Sequence, residues 1–143
     1  RFGGVGSALA KAAERDIDDI GPDRTDIRLA DAEALAPPDI RFFAAREGDT
    51  VLGVGALAIR DGYGEVKAMF TSDAARGKGV GAALLRMIED TAREEKLPVL
   101  HLETGEELAA AVRLYERQGF KRSGAFGDYE DDGISLFMTK VLD

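Results

Sequence analysis

Residues that favour β-strands fill the middle of the chain, and over residues 65–71 apolar and polar positions alternate with the period of two that is typical of a strand. Two strands are predicted over residues 41–46 and 51–60, and the segment Glu-Gly-Asp-Thr at residues 47–50 predicts the hairpin turn between them. A third strand is predicted over residues 65–71, after a second glycine-containing turn. We therefore expect three consecutive antiparallel strands.

The period changes to that of an amphipathic helix over residues 79–95, where apolar positions such as Leu84 and Ile88 share one face. Pro98 ends this helix, and a short strand is predicted over residues 99–102. Because strand, glycine-rich loop, helix and strand follow one another, we expect the two strands to be parallel and joined by a right-handed crossover.

A second helix is predicted after residues 104–107, whose sequence Thr-Gly-Glu-Glu has the spacing of a capping box. Its apolar face includes Tyr115, and Gly119 lies where a C-terminal cap belongs. Two closing strands are predicted over residues 120–126 and 134–141.

Ahead of the first strand, apolar positions four residues apart predict a helix over residues 7–19, and no strand is predicted there. The expected order is β-β-β-α-β-α-β-β after this N-terminal helical region. It defines an α/β fold of the α+β type, with a mixed, mainly antiparallel sheet flanked by helices. A chain of 143 residues is expected to form a single domain over residues 1–143.

The composition excludes several classes of chemistry. The chain has no cysteine, which excludes cysteine nucleophiles and cysteine-ligated metal sites, and its one histidine is His101. Metal clusters and Ser-His-Asp triads usually need more imidazole, so no metal is predicted. The chain has no apolar stretch of the ~20 residues that a membrane span needs, and no apolar signal core follows its N-terminus. We expect a cytoplasmic protein without a membrane partner.

The net charge of −8 argues against nucleic acid as a partner, because phosphate backbones require clustered Lys and Arg. Nine acids and five bases lie in residues 1–40 and again in residues 101–143, whereas residues 41–100 carry nine of each. We expect an anion to bind in the neutral middle third and a cation to prefer the flanks. One group of flanking acids, the acidic cluster, is either a cation-binding feature or a solvated loop: Asp128, Glu130, Asp131 and Asp132.

The segment Arg-Gly-Lys-Gly-Val-Gly at residues 76–81 lies between a predicted strand and a predicted helix. Glycines allow backbone N–H groups to turn toward a bound anion, and the start of a helix adds about half a positive charge. Arg76 and Lys78 would contribute full charges. The segment predicts a phosphate-binding loop; the alternative is a surface loop whose glycines serve turn geometry.

Two phosphate-binding interpretations fit this loop. In the first, Gly77, Gly79 and Ala82 match the permissive dinucleotide-binding pattern, with Glu103 as ribose acceptor, which predicts an NAD(P)-dependent oxidoreductase. Glu103 lies farther along the chain than the ~20 residues of that pattern, and three antiparallel strands precede the loop.

The second interpretation joins the loop to its surroundings. The pattern Arg-x-x-Gly-x-Gly at residues 76–81 follows the strand Glu-Val-Lys-Ala-Met-Phe at residues 65–70 and precedes Leu-Tyr-Glu-Arg-Gln-Gly-Phe at residues 114–120. Over residues 40–142 this combination resembles the GNAT superfamily of acetyl-CoA-dependent N-acetyltransferases. The resemblance implies transfer of the acetyl group from acetyl-CoA to a primary amine, by direct attack in a ternary complex. Without cysteine, a Cys acyl-enzyme is excluded.

The resemblance also implies the cofactor contacts. Backbone amides of residues 77–81 would hold the pyrophosphate of coenzyme A, and the preceding strand would pair with the pantetheine. The Met69 N–H would polarise the thioester carbonyl, where negative charge develops during the attack. The implied cofactor-binding residues are Met69, Phe70, Thr71, Arg76, Gly77, Lys78, Gly79, Val80 and Gly81.

Two candidate catalytic residues follow from the same resemblance. Glu65 lies eleven residues before Arg76, where many members have the carboxylate that deprotonates the amine; the alternative is an ordinary polar strand residue. Tyr115 matches the tyrosine that protonates the departing thiolate; the alternative is a tyrosine buried by core packing. We expect a structural role for His101 and place Glu103 as a second acid near the acceptor.

The acceptor is the part that the sequence describes least. Residues 1–40 match no family motif, and Leu108 replaces the asparagine that many members have seven residues before Tyr115. We expect a small-molecule or peptide amine, cationic if the acidic cluster binds it. A non-catalytic acyl-CoA-binding module is the other alternative.

Overall fold

The computed structural model describes residues 27–31, 39–75, 77–105 and 108–143. The predicted helix over residues 7–19 and Arg76 lie outside the described residues. The helices are α1 Val80–Glu94 and α2 Ala109–Arg117. The strands are β1 Ile27–Asp31, β2 Ile40–Glu47, β3 Thr50–Arg60, β4 Tyr63–Thr71, β5 Val99–Gly105, β6 Lys121–Ser123 and β7 Ser135–Val141.

The seven strands form one sheet in the order β1-β2-β3-β4-β5-β7-β6. The pair β4 and β5 is parallel, and the other neighbouring strands are antiparallel. The predicted mixed, mainly antiparallel sheet is confirmed, including the parallel pair around the glycine-rich loop. β4 and β5 are parallel because α1 lies between them in the chain and returns it to the other end of the sheet.

The structure adds β1, a strand that was not predicted. It runs antiparallel to β2, with Ile27 opposite Glu47 and Asp31 opposite Phe43. Its five residues are too few for a period of two to stand out from the polar sequence around them. The strand is therefore defined by its partner β2 more than by its own sequence.

The predicted capping box at residues 104–107 is wrong. β5 continues to Gly105, with Thr104 paired to Leu136 of β7, and the N-cap of α2 is Leu108, without a side-chain cap hydrogen bond. Sheet pairing holds Thr104 in the strand, so its hydroxyl cannot cap a helix that begins five residues later. Gly119 is confirmed as the left-handed residue after α2, with φ of 95°.

The hydrophobic core lies between one face of the sheet and the two helices. α1 contributes Leu84 and Ile88, and the strands contribute Leu57, Leu100 and Met138, all fully or almost fully buried. The apolar face predicted for α1 is therefore confirmed. No described helix has both the length and the apolar character needed to cross a membrane.

The opposite face of the sheet is polar where β3, β4, β5 and β7 meet. Register places Glu65 beside His101, and His101 beside Thr139, so alternate residues of these strands share that face. We call this surface the polar face, and its members are Arg60, Glu65, Lys67, His101, Glu103, Ser135 and Thr139.

Lys140 joins the two helices to β7 on the core side of the sheet. Its Nζ donates to Glu89 Oε2 of α1 at 2.8 Å and to the Gln118 carbonyl at the end of α2 at 2.7 Å. Arg93 forms a second ion pair with Glu89 at 2.7 Å, so this mostly buried carboxylate is compensated. These contacts fix α1 and α2 relative to the sheet and so fix the loop before α1.

Candidate active site

β4 carries one extra residue relative to its partner β3. The pairs Ala56 with Lys67 and Val54 with Phe70 enclose one residue of β3 and two of β4. Ala68, inside this bulge, has φ of 57°, a left-handed conformation that costs a residue with a Cβ about 1–2 kcal/mol. A bulge at this position changes which side chains of β4 face the core.

Met69 shows that change directly. The alternation predicted over residues 65–71 places Met69 on the face of Glu65, but a Cβ built on Gly55 would lie 2.7 Å from Met69 Sδ and 3.2 Å from Ile88 Cδ1. Met69 therefore points toward α1, and that part of the predicted alternation is wrong because the bulge reverses it. Gly55 lacks the side chain that would occupy this space.

β4 and β5 separate soon after they begin to pair. Their register holds three pairs, from Gly64 with Leu100 to Val66 with Leu102, while β4 continues to Thr71. Within the described sheet, the edge of β4 beyond Val66 that faces β5 has no partner strand. Such an edge offers backbone groups to an extended ligand.

A 3-10 turn at Asp73–Ala75 and the glycine-rich loop connect β4 to α1. Gly77 and Gly79 have φ of 78° and 76°, so both positions favour glycine, and Gly79 is the N-cap of α1. A Cβ on Gly81 would lie 2.8 Å from Leu114 Cδ2 of α2 and 3.7 Å from Thr71 Oγ1 of β4. The first turn of α1 thus lies against both the end of β4 and α2.

The first amides of α1 lie outside the hydrogen-bond ladder of the helix. The first hydrogen bond of the helix runs from Ala83 N to Gly79 O, so the amides of residues 80–82 precede the helical ladder. Within the described residues, no side chain caps this end. Lys78 N is already bonded to Ala75 O at 3.1 Å, and Lys78 Nζ lies 3.5 Å from Glu47 Oε1.

Glu65 is the buried carboxylate of the polar face, with 4% of its surface exposed. Tyr129 donates its hydroxyl proton to Glu65 Oε2 at 2.7 Å. Lys67 Nζ lies 3.5 Å from the same oxygen, and Arg60 Nε lies 3.6 Å from Oε1. These donors compensate a charge that burial alone would disfavour.

Tyr129 belongs to an aromatic cluster that sequence reasoning missed. Its ring centroid lies 5.0 Å from that of Phe126 and 5.8 Å from that of Phe137. Burial, followed by its hydrogen bond to Glu65, raises the pKa of Tyr129 to about 12, so the phenol stays protonated. No local pattern indicated this residue, because its partner lies 64 residues earlier in the chain.

His101 makes the kind of contacts that are expected of a structural histidine. Its Nδ1 lies 2.7 Å from Thr139 Oγ1, and its ring stacks on Phe126 with centroids 4.7 Å apart. Burial lowers the pKa of His101, and the Glu65 carboxylate acts in the opposite direction. In the described segments, no three His, Asp or Glu side chains converge to hold a metal ion.

Tyr115 lies in the core rather than on the polar face. It is 6% exposed, packs edge-on against Phe120, and burial raises its pKa to about 12. Glu103 shares the polar face with Glu65 and accepts a hydrogen bond from Ser135 Oγ at 2.6 Å. The structure therefore places the two carboxylates on the same face of the sheet and the tyrosine on the other.

Two members of the acidic cluster, Asp131 and Asp132, accept hydrogen bonds from the backbone of the turn before β7. Asp132 Oδ1 accepts the backbone N–H groups of Ile134 and Ser135, which lowers the pKa of this exposed carboxyl. Asp131 Oδ1 accepts the N–H of Gly133 at 3.1 Å. Both side chains shape the turn into β7.

The parallel pair β4 and β5 opens beside the glycine-rich start of α1, and the buried Glu65 lies on the strand that borders this opening. The sequence profile described as the Acetyltransferase (GNAT) family matches residues 13–120. The chain belongs to this family of N-acetyltransferases, and the resemblance found in the sequence is confirmed.

Relatives and solved structures agree with this assignment. An "IAA acetyltransferase" of Azospirillum brasilense is 47% identical over 136 residues, covering 94% of this chain and 88% of that protein. A crystal structure described as an acyl-CoA N-acyltransferase of Klebsiella pneumoniae has a TM-score of 0.72 and 34% identity, covering 77% of this chain and 78% of that one. A GNAT acetyltransferase of Elizabethkingia anophelis, solved with acetyl-CoA bound, shares the fold, with a TM-score of 0.67 and 18% identity over 83% of this chain and all of that one.

The left-handed backbone at Ala68 predicts opposite effects for two substitutions. Ala68→Gly should raise the free energy of unfolding by about 0.5 kcal/mol, because relief of the Cβ clash slightly exceeds the entropic cost of glycine. Ala68→Val should lower it by about 2 kcal/mol, because a β-branched residue rarely adopts this conformation. Urea denaturation of the three proteins measures both. A valine variant as stable as wild type would show that residue 68 is not left-handed.

Proposed function

We propose that the chain transfers the acetyl group of acetyl-CoA to a primary amine in a ternary complex, with Glu65 as general base and Tyr115 as general acid. The observation that carries this proposal is the buried Glu65 carboxylate on the strand that borders the opening between β4 and β5. We propose the cytoplasm as the location of the reaction, since acetyl-CoA is available there.

The start of α1 would hold the pyrophosphate of the cofactor. Amides that precede the helical ladder and the helix dipole both favour a bound anion. The Lys78 amide is occupied by Ala75, so the proposal assigns the hydrogen bonds to the amides that follow it, from Gly79, Val80 and Gly81. Lys78 and Arg76 would add charge from their side chains. A bound acetyl-CoA in a protein of the same fold supports this choice of cofactor.

The open edge of β4 would hold the pantetheine arm. An extended arm with two amides can pair with strand backbone as an added strand does. Met69, Phe70 and Thr71 lie on this part of β4, beyond the last pair with β5. The Met69 N–H would donate to the thioester oxygen, which gains negative charge as the amine attacks.

In the proposed reaction the acceptor amine gives up protons and the departing thiolate gains one. Glu65 takes a proton from the acceptor ammonium and becomes a neutral carboxylic acid. The free amine forms a bond to the thioester carbon, and the carbon–sulfur bond breaks. The departing thiolate takes the phenol proton of Tyr115, whose pKa of about 12 keeps it protonated at neutral pH. As the amide forms, the nitrogen loses its second proton to water, and exchange with water then restores both side chains.

The opposite placement of base and acid fits this sequence of events. Glu65 lies on the polar face, Tyr115 lies on the core side, and the opening between β4 and β5 joins the two sides. The amine would therefore approach from the polar face, and the sulfur would leave on the core side. The proposed acceptor is a small-molecule or peptide amine, and a cationic group on it would meet Asp128 and Glu130, the two members of the acidic cluster outside the turn hydrogen bonds.

Thermal unfolding tests the cofactor. At a ligand concentration about 100-fold above Kd, acetyl-CoA should add about 2.7 kcal/mol, or about 5–10 °C in Tm, because it binds the native state alone. NAD at the same concentration serves as the control and should leave Tm unchanged. A shift with NAD alone would contradict the transferase assignment.

Substitution of Glu65 tests the base. Glu65→Gln should lower kcat/KM about 10²–10⁴-fold, because the amide cannot accept the proton, while the acetyl-CoA shift in Tm stays the same. Glu94→Gln, at an exposed position of α1, is the matched control and should keep kcat/KM within a few-fold of wild type. Steady-state rates with a panel of amines measure both. A protein that binds acetyl-CoA but acetylates no amine would instead be a non-catalytic acyl-CoA-binding module.

Substitution of Tyr115 separates proton donation from core packing. Tyr115→Phe keeps the ring that contacts Phe120, so Tm should change by no more than a few degrees. Loss of the phenol proton should lower kcat about 10²-fold, and less for an acyl donor whose leaving thiol is more acidic. Steady-state assays of both proteins, with acetyl-CoA and with an activated thioester as acyl donor, measure the two ratios of kcat. If Tyr115→Phe and wild type have the same kcat, Tyr115 serves packing alone.

A further inference from the structure

The two oxygens of Glu65 have different surroundings. Oε2 accepts the Tyr129 hydroxyl at 2.7 Å and lies 3.5 Å from Lys67 Nζ. Oε1 has one contact among the described residues, with Arg60 Nε at 3.6 Å, which is an ion pair rather than a hydrogen bond. The carboxylate is therefore bound firmly through one oxygen, and the other oxygen has capacity for a further donor.

Tyr129 comes from the loop between β6 and β7, which is seated on the sheet by specific contacts. Phe126 of this loop is buried on His101, and Tyr129 N donates to Phe126 O at 3.1 Å. Gly127 has φ of 57°, and a Cβ there would lie 2.6 Å from the Tyr63 hydroxyl. The backbone next to Tyr129 thus rests on the polar face, and this places the phenol within reach of Glu65.

We propose that Tyr129 is the positioning residue of the general base: its hydroxyl holds Oε2 and favours the ionised carboxylate, and Oε1 receives the proton of the acceptor amine. This inference rests on the proposed function of Glu65 and adds a residue to it. Tyr129 itself neither gains nor loses its proton. The acceptor ammonium gives one proton to Oε1, and the hydrogen bond from Tyr129 to Oε2 weakens as the charge disappears.

The physical effect has a definite sign. A hydrogen bond donated to a carboxylate stabilises the charged form, so removal of the donor makes the carboxylate harder to ionise. The charged and titratable side chains that face Glu65 from the neighbouring elements would remain in place, and among the described residues these are Arg60 of β3, Lys67 of β4 and His101 of β5. Glu103 of β5 acts on the site through Tyr129.

The pH dependence of catalysis tests the proposal. Tyr129→Phe should move the acid limb of kcat/KM about one pH unit upward, so that kcat/KM falls about tenfold below the limb and changes little on the plateau. The KM for acetyl-CoA should stay the same, because the loop does not belong to the cofactor site. Tyr63→Phe is the matched control, since it removes a phenol from the same face that is not bonded to Glu65, and its profile should follow wild type.

A second measurement needs no acceptor. In protein labelled with ¹³C-glutamate, the titration midpoint of the Glu65 carboxyl carbon should lie about one pH unit higher in Tyr129→Phe than in wild type, and Glu65→Gln identifies the signal. An unchanged midpoint together with an unchanged acid limb would overturn the positioning role. A faster variant with an unmoved limb would also overturn it, because Tyr129 would then obstruct the acceptor. If Glu65→Gln keeps the acid limb, the base assignment fails, whatever Tyr129 does.

Discussion

The early separation of β4 and β5 is the constraint on which the rest of the site depends. Two parallel strands that could pair over their whole length stop after three pairs, because β4 bulges at Ala68 and turns into the glycine-rich loop. Gly55 accommodates Met69 across the bulge, and Gly81 accommodates Leu114 where α1 meets α2. The two glycines thus leave room for neighbouring side chains on either side of the point where the strands separate.

The second requirement is electrostatic. A buried carboxylate is costly unless donors surround it, and the donors of Glu65 come from β3, β4 and the β6–β7 loop. Arg60 and Lys67 flank Glu65, and the net charge of −8 gives no information about this local arrangement. Local compensation decides what the carboxylate can do, whereas the net charge concerns solubility and long-range attraction.

The sequence predicts the elements well where the signal is local. Strand-favouring residues located β2, β3 and β5, the period of two located β4, and the period of 3.6 located α1. The spacing of motif residues singled out Glu65, Tyr115 and the loop as candidates. Three features depend on distant partners and left no local signal: β1 needs β2, Thr104 follows β7 instead of capping α2, and Tyr129 meets Glu65 from the far end of the chain. The bulge also reversed Met69, because a periodic pattern cannot show where one residue is inserted.

The contact between Tyr129 and Glu65 has a further consequence for the order in which the molecule matures. The elements around the glycine-rich loop, from β3 to α1, are close in sequence, so their contacts close short chain loops and can form early. The phenol reaches the carboxylate only after β6 and β7 have docked, because their contacts have much larger sequence separation. A folding intermediate without β7 would then present the glycine-rich loop while Glu65 still lacks the hydrogen bond from Tyr129. If the loop binds acetyl-CoA as proposed, such an intermediate would hold its substrate before it could use it.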